Sequence, residues 1–341
     1  MNDEQINNLK TDIVAIGRVL WEKDLASGFN GNISARVDAE RIVLTGHGTC
    51  LGLLQEKDIL LMNISGELLE DGRVSTEKLL HTEIYKNFPD AKAVIHTHTT
   101  YTNAYFLEND LLSPRVFESK FYLGDVKAVP QNTPAVTDAT PVIGQLKTNN
   151  ITVLKNHGVV AMGKNLFDCF VLIQCLEEAV KVDAISRLYT KDEGRLPVGK
   201  AGKTKDDKKE AKVSKPRKYK LFSKEQINEI VRLVNDDKTL KELGEKTNMT
   251  MDLAVKLNET GQTYNFQFEK GRIAKVNNSD GAEFLISAPE SVWRAVFNRE
   301  IDPFVATTQK KMNLRGDFAK ISKWYAPCSR IFELWTEVPV E

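Results

Sequence analysis

The sequence predicts two domains: an α/β domain over residues 1–190 and a smaller domain of helices and strands over residues 219–341, joined by a Lys-rich linker at 191–218. Three observations predict it. Helical and strand periodicities alternate through the first half, a run almost free of apolar residues follows, and the pattern beyond that run changes character. With 341 residues and an apolar fraction of 41%, the chain is long enough to give each half its own core.

In the first half, Ile6, Leu9, Ile13, Ile16 and Leu20 recur at three- and four-residue intervals over residues 4–24, a helix that Ser27-Gly28 ends. Short strands are expected at 41–45 and 58–63, punctuated by Thr45-Gly46 and Ser65-Gly66. A helix starts near Ser75 or Thr76, either of which suits a cap, and runs to Phe88, where Pro89 closes it. A strand at 93–98 follows at once, and another at 151–155 leads to His157. Asn165, with Asp168 three residues on, caps a long helix through Tyr189.

From Lys200 to Lys220 there are ten Lys or Arg against three Asp or Glu, with almost nothing apolar to offset the entropy of ordering. This reads as a linker. A nucleic-acid-binding arm is the alternative, but no aromatic residue is interleaved before Tyr219. Beyond it, helices are expected at 223–235 and 240–245, strands at 262–268, 272–276 and 283–287, and helices around Val292 and Ala319.

Basic and acidic residues balance at 47 each, which removes any global field that would recruit nucleic acid or an anionic membrane. The four cysteines, Cys50, Cys169, Cys175 and Cys328, form no C-x-x-C pair and read as thiols in a reducing compartment. The opening Met-Asn-Asp-Glu-Gln lacks an apolar signal core and no run is long enough to span a bilayer, so a cytoplasmic protein is expected.

All five histidines lie in the first half. His96 and His98 stand two apart on a β-branched run, so both rings project from one face of a strand. With His157 they would supply three nitrogens and leave a tetrahedral ion one open position, the arrangement of a catalytic zinc. Taken alone, the spacing also fits two histidines placed on a strand by chance. Glu77 shares a helix face with His81, Ile84 and Phe88 and is a candidate general base, or equally a first-turn charge on the helix dipole. His81 reads either as a support for the site or as an ordinary core histidine. Three polar turns, residues 28–34, Thr45-Gly46 and Ser75-Thr76, offer the amides, hydroxyls and helix start that a phosphate monoester needs. Singly, each is an ordinary turn.

In order, Gly28-Phe29-Asn30-Gly31-Asn32-Ile33-Ser34, Thr45-Gly46, Ser75-Thr76-Glu77 with His81, the run from Pro89 to His98, and Asn156-His157-Gly158 before a long helix closely resemble the class II aldolase/adducin family, and within it the fuculose-phosphate aldolases. The resemblance covers about residues 4–190 and implies a three-layer α/β/α domain around a mostly antiparallel sheet. It implies that His96, His98 and His157 hold Zn2+ or another divalent metal such as Mn2+, that Glu77 is the catalytic carboxylate, and that Asn32, Thr45, Gly46, Ser75 and Thr76 bind the substrate phosphate. It further implies a homo-oligomer, a tetramer with sites at subunit interfaces.

The reaction so implied is class II aldol cleavage or formation of a C–C bond in a small phosphorylated ketose through a metal-stabilised enediolate. Glu at position 77 matches the aldolases, where similar epimerases carry Asp. A sugar-phosphate dehydratase or 4-epimerase is the alternative, and a non-enzymatic lipid-binding or interaction protein a further one. Phe29 departs from the small hydroxyl residue of the fuculose-phosphate aldolases, and their C-terminal-tail tyrosine has only Tyr189 and Tyr219 as distant counterparts. Residues 261–340 resemble the sterol carrier protein 2-like domain, chiefly in residues 291–297, Asp302-Pro303-Phe304 and residues 311–317. That implies an α+β fold holding a hydrophobic ligand, with a packed accessory or oligomerisation domain as the alternative. Phe297, Phe304, Met312, Phe318, Trp324 and Trp335 are core residues on either reading.

Overall fold

A computed structural model describes residues 3–189, 218–317 and 324–341. The chain divides into two compact units, Met1–Lys203 and Thr204–Glu341. The linker expected at 191–218 lies outside the described residues except for Lys218, as do the helix expected around Ala319 and the core residue Phe318. Among the described residues no helix is long and apolar enough to cross a membrane.

The first unit begins with α1 (Asp3–Glu22), whose Ile6, Ile13 and Leu20 are buried on one face. It continues through β1 (Asn32–Arg36), β2 (Arg41–Thr45), β3 (Ile59–Asn63), α2 (Lys78–Asn87), β4 (Ala93–Thr97), α3 (Thr100–Glu108) and β5 (Leu111–Leu112). Then come α4 (Phe117–Leu123), β6 (Val126–Val129), α5 (Thr140–Leu146), β7 (Ile151–Leu154), β8 (Gly158–Gly163) and α6 (Leu166–Leu188). The strands form one sheet in the order β3-β2-β1-β4-β8-β7-β6-β5, antiparallel at every junction except β6 with β7.

Alternation along the strands sends side chains to two cores. Ala93 and Ile95 of β4 face α1, α3 and α6 with Ile13, Phe106 and Ile173, whereas Val94 faces α2 and α5 with Ile84 and Ile143. Covered on both faces, the sheet is the middle of three α/β/α layers. Asn165 caps α6 as expected, its Oδ1 accepting the Asp168 N–H at 2.8 Å.

Two local expectations shift. Residues 28–34 are not wholly a turn, because Asn32 opens β1 and lies directly across from His96 of β4. Neither Ser75 nor Thr76 caps α2. Ser75 Oγ accepts the Glu77 N–H at 3.2 Å and its carbonyl accepts from Lys78, closing a turn that leaves Glu77 at the N-cap position.

The second unit contains α7 (Lys224–Asp236), α8 (Lys238–Lys246), β9 (Thr250–Leu257), β10 (Thr263–Glu269), β11 (Arg272–Asn277), β12 (Phe284–Ala288), α9 (Glu290–Phe297), α10 (Pro303–Thr308), β13 (Asn313–Arg315) and α11 (Tyr325–Trp335). Its sheet runs β11-β10-β9-β12-β13, with β9 and β12 parallel. One face is covered by an aromatic core in which the ring centroids of Trp293, Phe297 and Trp335 lie within 6.2 Å of one another, Trp293 stacked on Phe297 and Trp335 tilted against both. Met312 and Trp324 are buried as expected, while Phe304 is half-buried against Tyr325 and Phe332.

Candidate metal centre

β4 carries His96 and leaves His98 one residue past its end, while His157 sits in the turn between β7 and β8. Their candidate ligand atoms lie within 4.8 Å of one another, and His96 Nε2 is 3.0 Å from His98 Nε2. Two nitrogens each about 2.0 to 2.1 Å from one tetrahedral ion stand roughly 3.3 Å apart, so these nitrogens can share an ion. Asn156 before His157 has φ 64°, a left-handed conformation that Asn tolerates better than most residues. A Cβ on the following Gly158 would lie 2.8 Å from His98 Cδ2 and 3.0 Å from His96 Cε1. The Asn-His-Gly turn therefore needs both flanking residues for three imidazoles to converge.

The donor set suits a divalent metal. A carbonyl oxygen only accepts, so His96 Nδ1, 3.0 Å from Val159 O, carries the ring proton and Nε2 keeps its lone pair. Burial, then the two neighbouring imidazoles, holds His96 well below the ordinary histidine range. Burial first and His157 second push His98 down to about 4. Unprotonated nitrogens are what ligation requires.

Glu77 is 5% exposed, and its Oε1 accepts the Val136 N–H at 3.0 Å. Its Oε2 lies 3.8 Å from His157 Nε2, and both atoms are buried without a hydrogen-bond partner among the described residues. A buried carboxylate oxygen and a buried imidazole nitrogen, both unpaired, fit an ion or a reacting group placed between them.

The phosphate candidates are only partly gathered. Thr45 Oγ1 accepts the Ile33 N–H at 3.2 Å, which links Thr45 to the residue after Asn32, and the Thr45 carbonyl accepts from Ser75 N at 3.1 Å. Thr76 is exposed. The Gly46 N–H is engaged by Asp58 O at 2.7 Å, so it is not a free donor here. Phe29 is 75% exposed and Tyr189 83% exposed, while Tyr219 pairs with Val340 inside the second unit.

Four supports were not named from sequence. Val136 and Val159 act through backbone atoms that no side-chain motif marks. Glu177, 2% exposed on α6, accepts from Tyr101 N, Thr102 N and Thr102 Oγ1 at 2.8 to 3.0 Å and so satisfies the start of α3 just after His98. Asn103 Nδ2 donates to His157 O at 3.2 Å. Glu177 stands at helical spacing from the apolar Phe170, Ile173 and Val180, and that placement was the one signal for it.

Residues 11–184 match the family described as the class II aldolase and adducin N-terminal domain, and residues 227–327 match the SCP-2 sterol transfer family. An L-fuculose phosphate aldolase of Methanocaldococcus jannaschii is 32% identical over 185 residues, covering 53% of this chain and 99% of that protein. A 3-oxo-tetronate 4-phosphate decarboxylase of Haemophilus influenzae is 30% identical over 176 residues, covering 50% of this chain and 84% of that protein. The crystal structure of L-fuculose-1-phosphate aldolase from Thermus thermophilus superposes with a TM-score of 0.50 at 24% identity, covering 55% of this chain and 98% of that one, and shows a shared fold.

Proposed function

The chain belongs to the class II aldolase and adducin family, and from that membership we propose that it is a divalent-metal aldolase acting on a small phosphorylated ketose. One observation carries the proposal: three imidazoles converge beside the unpaired Oε2 of Glu77. His96, His98 and His157 would hold the ion, with zinc as first choice for a three-nitrogen set. Bound there, a divalent ion polarises a substrate oxygen and offsets the negative charge that develops as the carbon–carbon bond breaks.

Glu77 moves the proton. Its Oε1 is fixed by the Val136 amide, which leaves Oε2 to take a proton from the substrate hydroxyl in cleavage and return one to carbon, or the reverse in synthesis. Val159 O fixes the His96 ring, and Asn103 fixes the backbone of the His157 turn. Asn32, Thr45, Ser75 and Thr76 would supply donors to the phosphate, Gly46 contributing space rather than its amide.

A second reading is decarboxylation of a phosphorylated 3-oxo acid, favoured by the Haemophilus influenzae relative. Product analysis of the metal-loaded chain tests both. An aldehyde plus a three-carbon ketose phosphate supports the aldolase, released carbon dioxide supports the decarboxylase, and loss of water or an inverted carbinol overturns both. The same proposal makes residues 1–190 catalytic, 191–218 a linker and 219–341 a holder of a hydrophobic small molecule, in a cytoplasmic homo-tetramer.

A further inference from the structure

Beneath the phosphate candidates runs a closed line of four side chains. Asn32 and Ser34 stand two apart on β1, and His81 and Tyr85 stand four apart on α2. Two residues of strand rise about 6.8 Å and four of helix about 6.0 Å, so the pairs align where α2 crosses the sheet. Tyr85 OH is 2.9 Å from Ser34 Oγ, Ser34 Oγ is 2.6 Å from His81 Nδ1, and His81 Nε2 is 2.5 Å from Asn32 Oδ1. All four are buried, Ser34 and His81 fully.

The Asn32 oxygen sets the direction of every bond, because a carbonyl oxygen only accepts. His81 Nε2 therefore carries the proton of the neutral ring and donates it to Asn32 Oδ1, which leaves Nδ1 as an acceptor. Ser34 Oγ gives its proton to Nδ1 and takes one from Tyr85 OH. The amide NH2 of Asn32 is thereby turned the other way. Burial supports this proton arrangement. It lowers His81 to about 4 against the opposing pull of Glu77, and it raises the Tyr85 phenol.

Asn32 lies directly across from His96, so the two side chains share a sheet face. We infer that His81, directed by Ser34 and Tyr85, is a positioning residue that holds the Asn32 amide with its NH2 toward the phosphate of the substrate. Without it the amide is free to turn its oxygen to the phosphate, an acceptor against acceptors. The inference rests on Asn32 being a phosphate contact, as in the proposed function.

Calorimetric titration of the full chain with glycerol phosphate, a non-reacting phosphate monoester, tests it, both without metal and with one equivalent of zinc. Asn32→Ala and His81→Leu each weaken binding about tenfold or more, the scale of a lost hydrogen bond to a charged group. In the Asn32→Ala background His81→Leu adds nothing. His81→Gln places an NH2 near the Nε2 position and restores binding to within about threefold of wild type. Tyr85→Phe, which keeps the ring volume, weakens binding without changing zinc affinity.

A purely structural His81 would give additive losses and no rescue by Gln. Additivity in the double variant overturns the inference, as does unchanged phosphate affinity in both His81→Leu and Tyr85→Phe while Asn32→Ala weakens it. Unchanged affinity in Asn32→Ala instead overturns the phosphate assignment itself, and the positioning role with it.

Discussion

Glu77 Oε2 and His157 Nε2 face each other at 3.8 Å, both buried and neither hydrogen-bonded among the described residues. Leaving buried polar atoms unpaired costs about 1–3 kcal/mol each. A protein tolerates such a cost where a ligand or a reaction offsets it. Glu77→Gln keeps the shape and the Val136 bond but removes the base. It should retain the bound metal and lose about 10²- to 10⁴-fold in turnover, measured as kcat alongside elemental analysis.

Gly158 has no room for a side chain, since a Cβ there would meet the Thr97 carbonyl first and then the rings of His98 and His96. Gly158→Ala should lower metal affinity at least tenfold by spreading the imidazoles. Competition with a chromogenic chelator reads this directly, and an unchanged affinity would show that the turn can relax.

Glu177 satisfies two backbone amides and a hydroxyl at the start of α3, which follows His98 and carries Asn103 to the His157 carbonyl. Glu177→Ala strands those buried donors, at about 2–4 kcal/mol for the set. Thermal unfolding should show the loss. Metal affinity should fall as well, although Glu177 is not a proposed ligand.

In the second unit Asp237 caps α8 through Leu240 N and pairs with Arg330 at 2.7 Å. The Arg330 guanidinium, with the Leu240 amide adding to it, holds the Asp237 carboxyl below its ordinary value. The ion pair therefore stabilises the fold fully above the unfolded carboxyl pKa of about 3.9, and that contribution is lost as pH falls through the lower folded value. Asp237→Asn keeps a capping oxygen and removes the charge, at a cost below about 1 kcal/mol for this partly exposed pair. The wild type should be the more stable at pH 6, with the difference vanishing toward pH 2 in denaturant melts.

The long, strongly periodic elements were legible in the sequence: α1, the strands at 41–45 and 93–98, and the Asn165-capped α6. β1 was not, because Asn-Ile-Ser-Ala-Arg alternates over only five residues directly after a glycine-bearing turn, and its polar side chains are buried against His81 and the Ala91 carbonyl instead of facing water. β9, central to the second sheet, takes five of its eight residues from Met, Leu, Ala and Lys, which favour helix by propensity. The histidines were legible because they are rare side chains at motif spacing, and Glu77 because it follows Ser75-Thr76 at the head of a helix. What orients them was not: the Val136 amide, the Val159 carbonyl and the line from Tyr85 to Asn32 join residues distant in sequence.

The metal content of the purified chain and of His96→Ala, measured by elemental analysis together with aldol cleavage of a ketose phosphate, tests the central claim most directly. The account predicts about one divalent ion per wild-type chain, and loss of both ion and cleavage in His96→Ala. Full metal content and full activity in His96→Ala would contradict it.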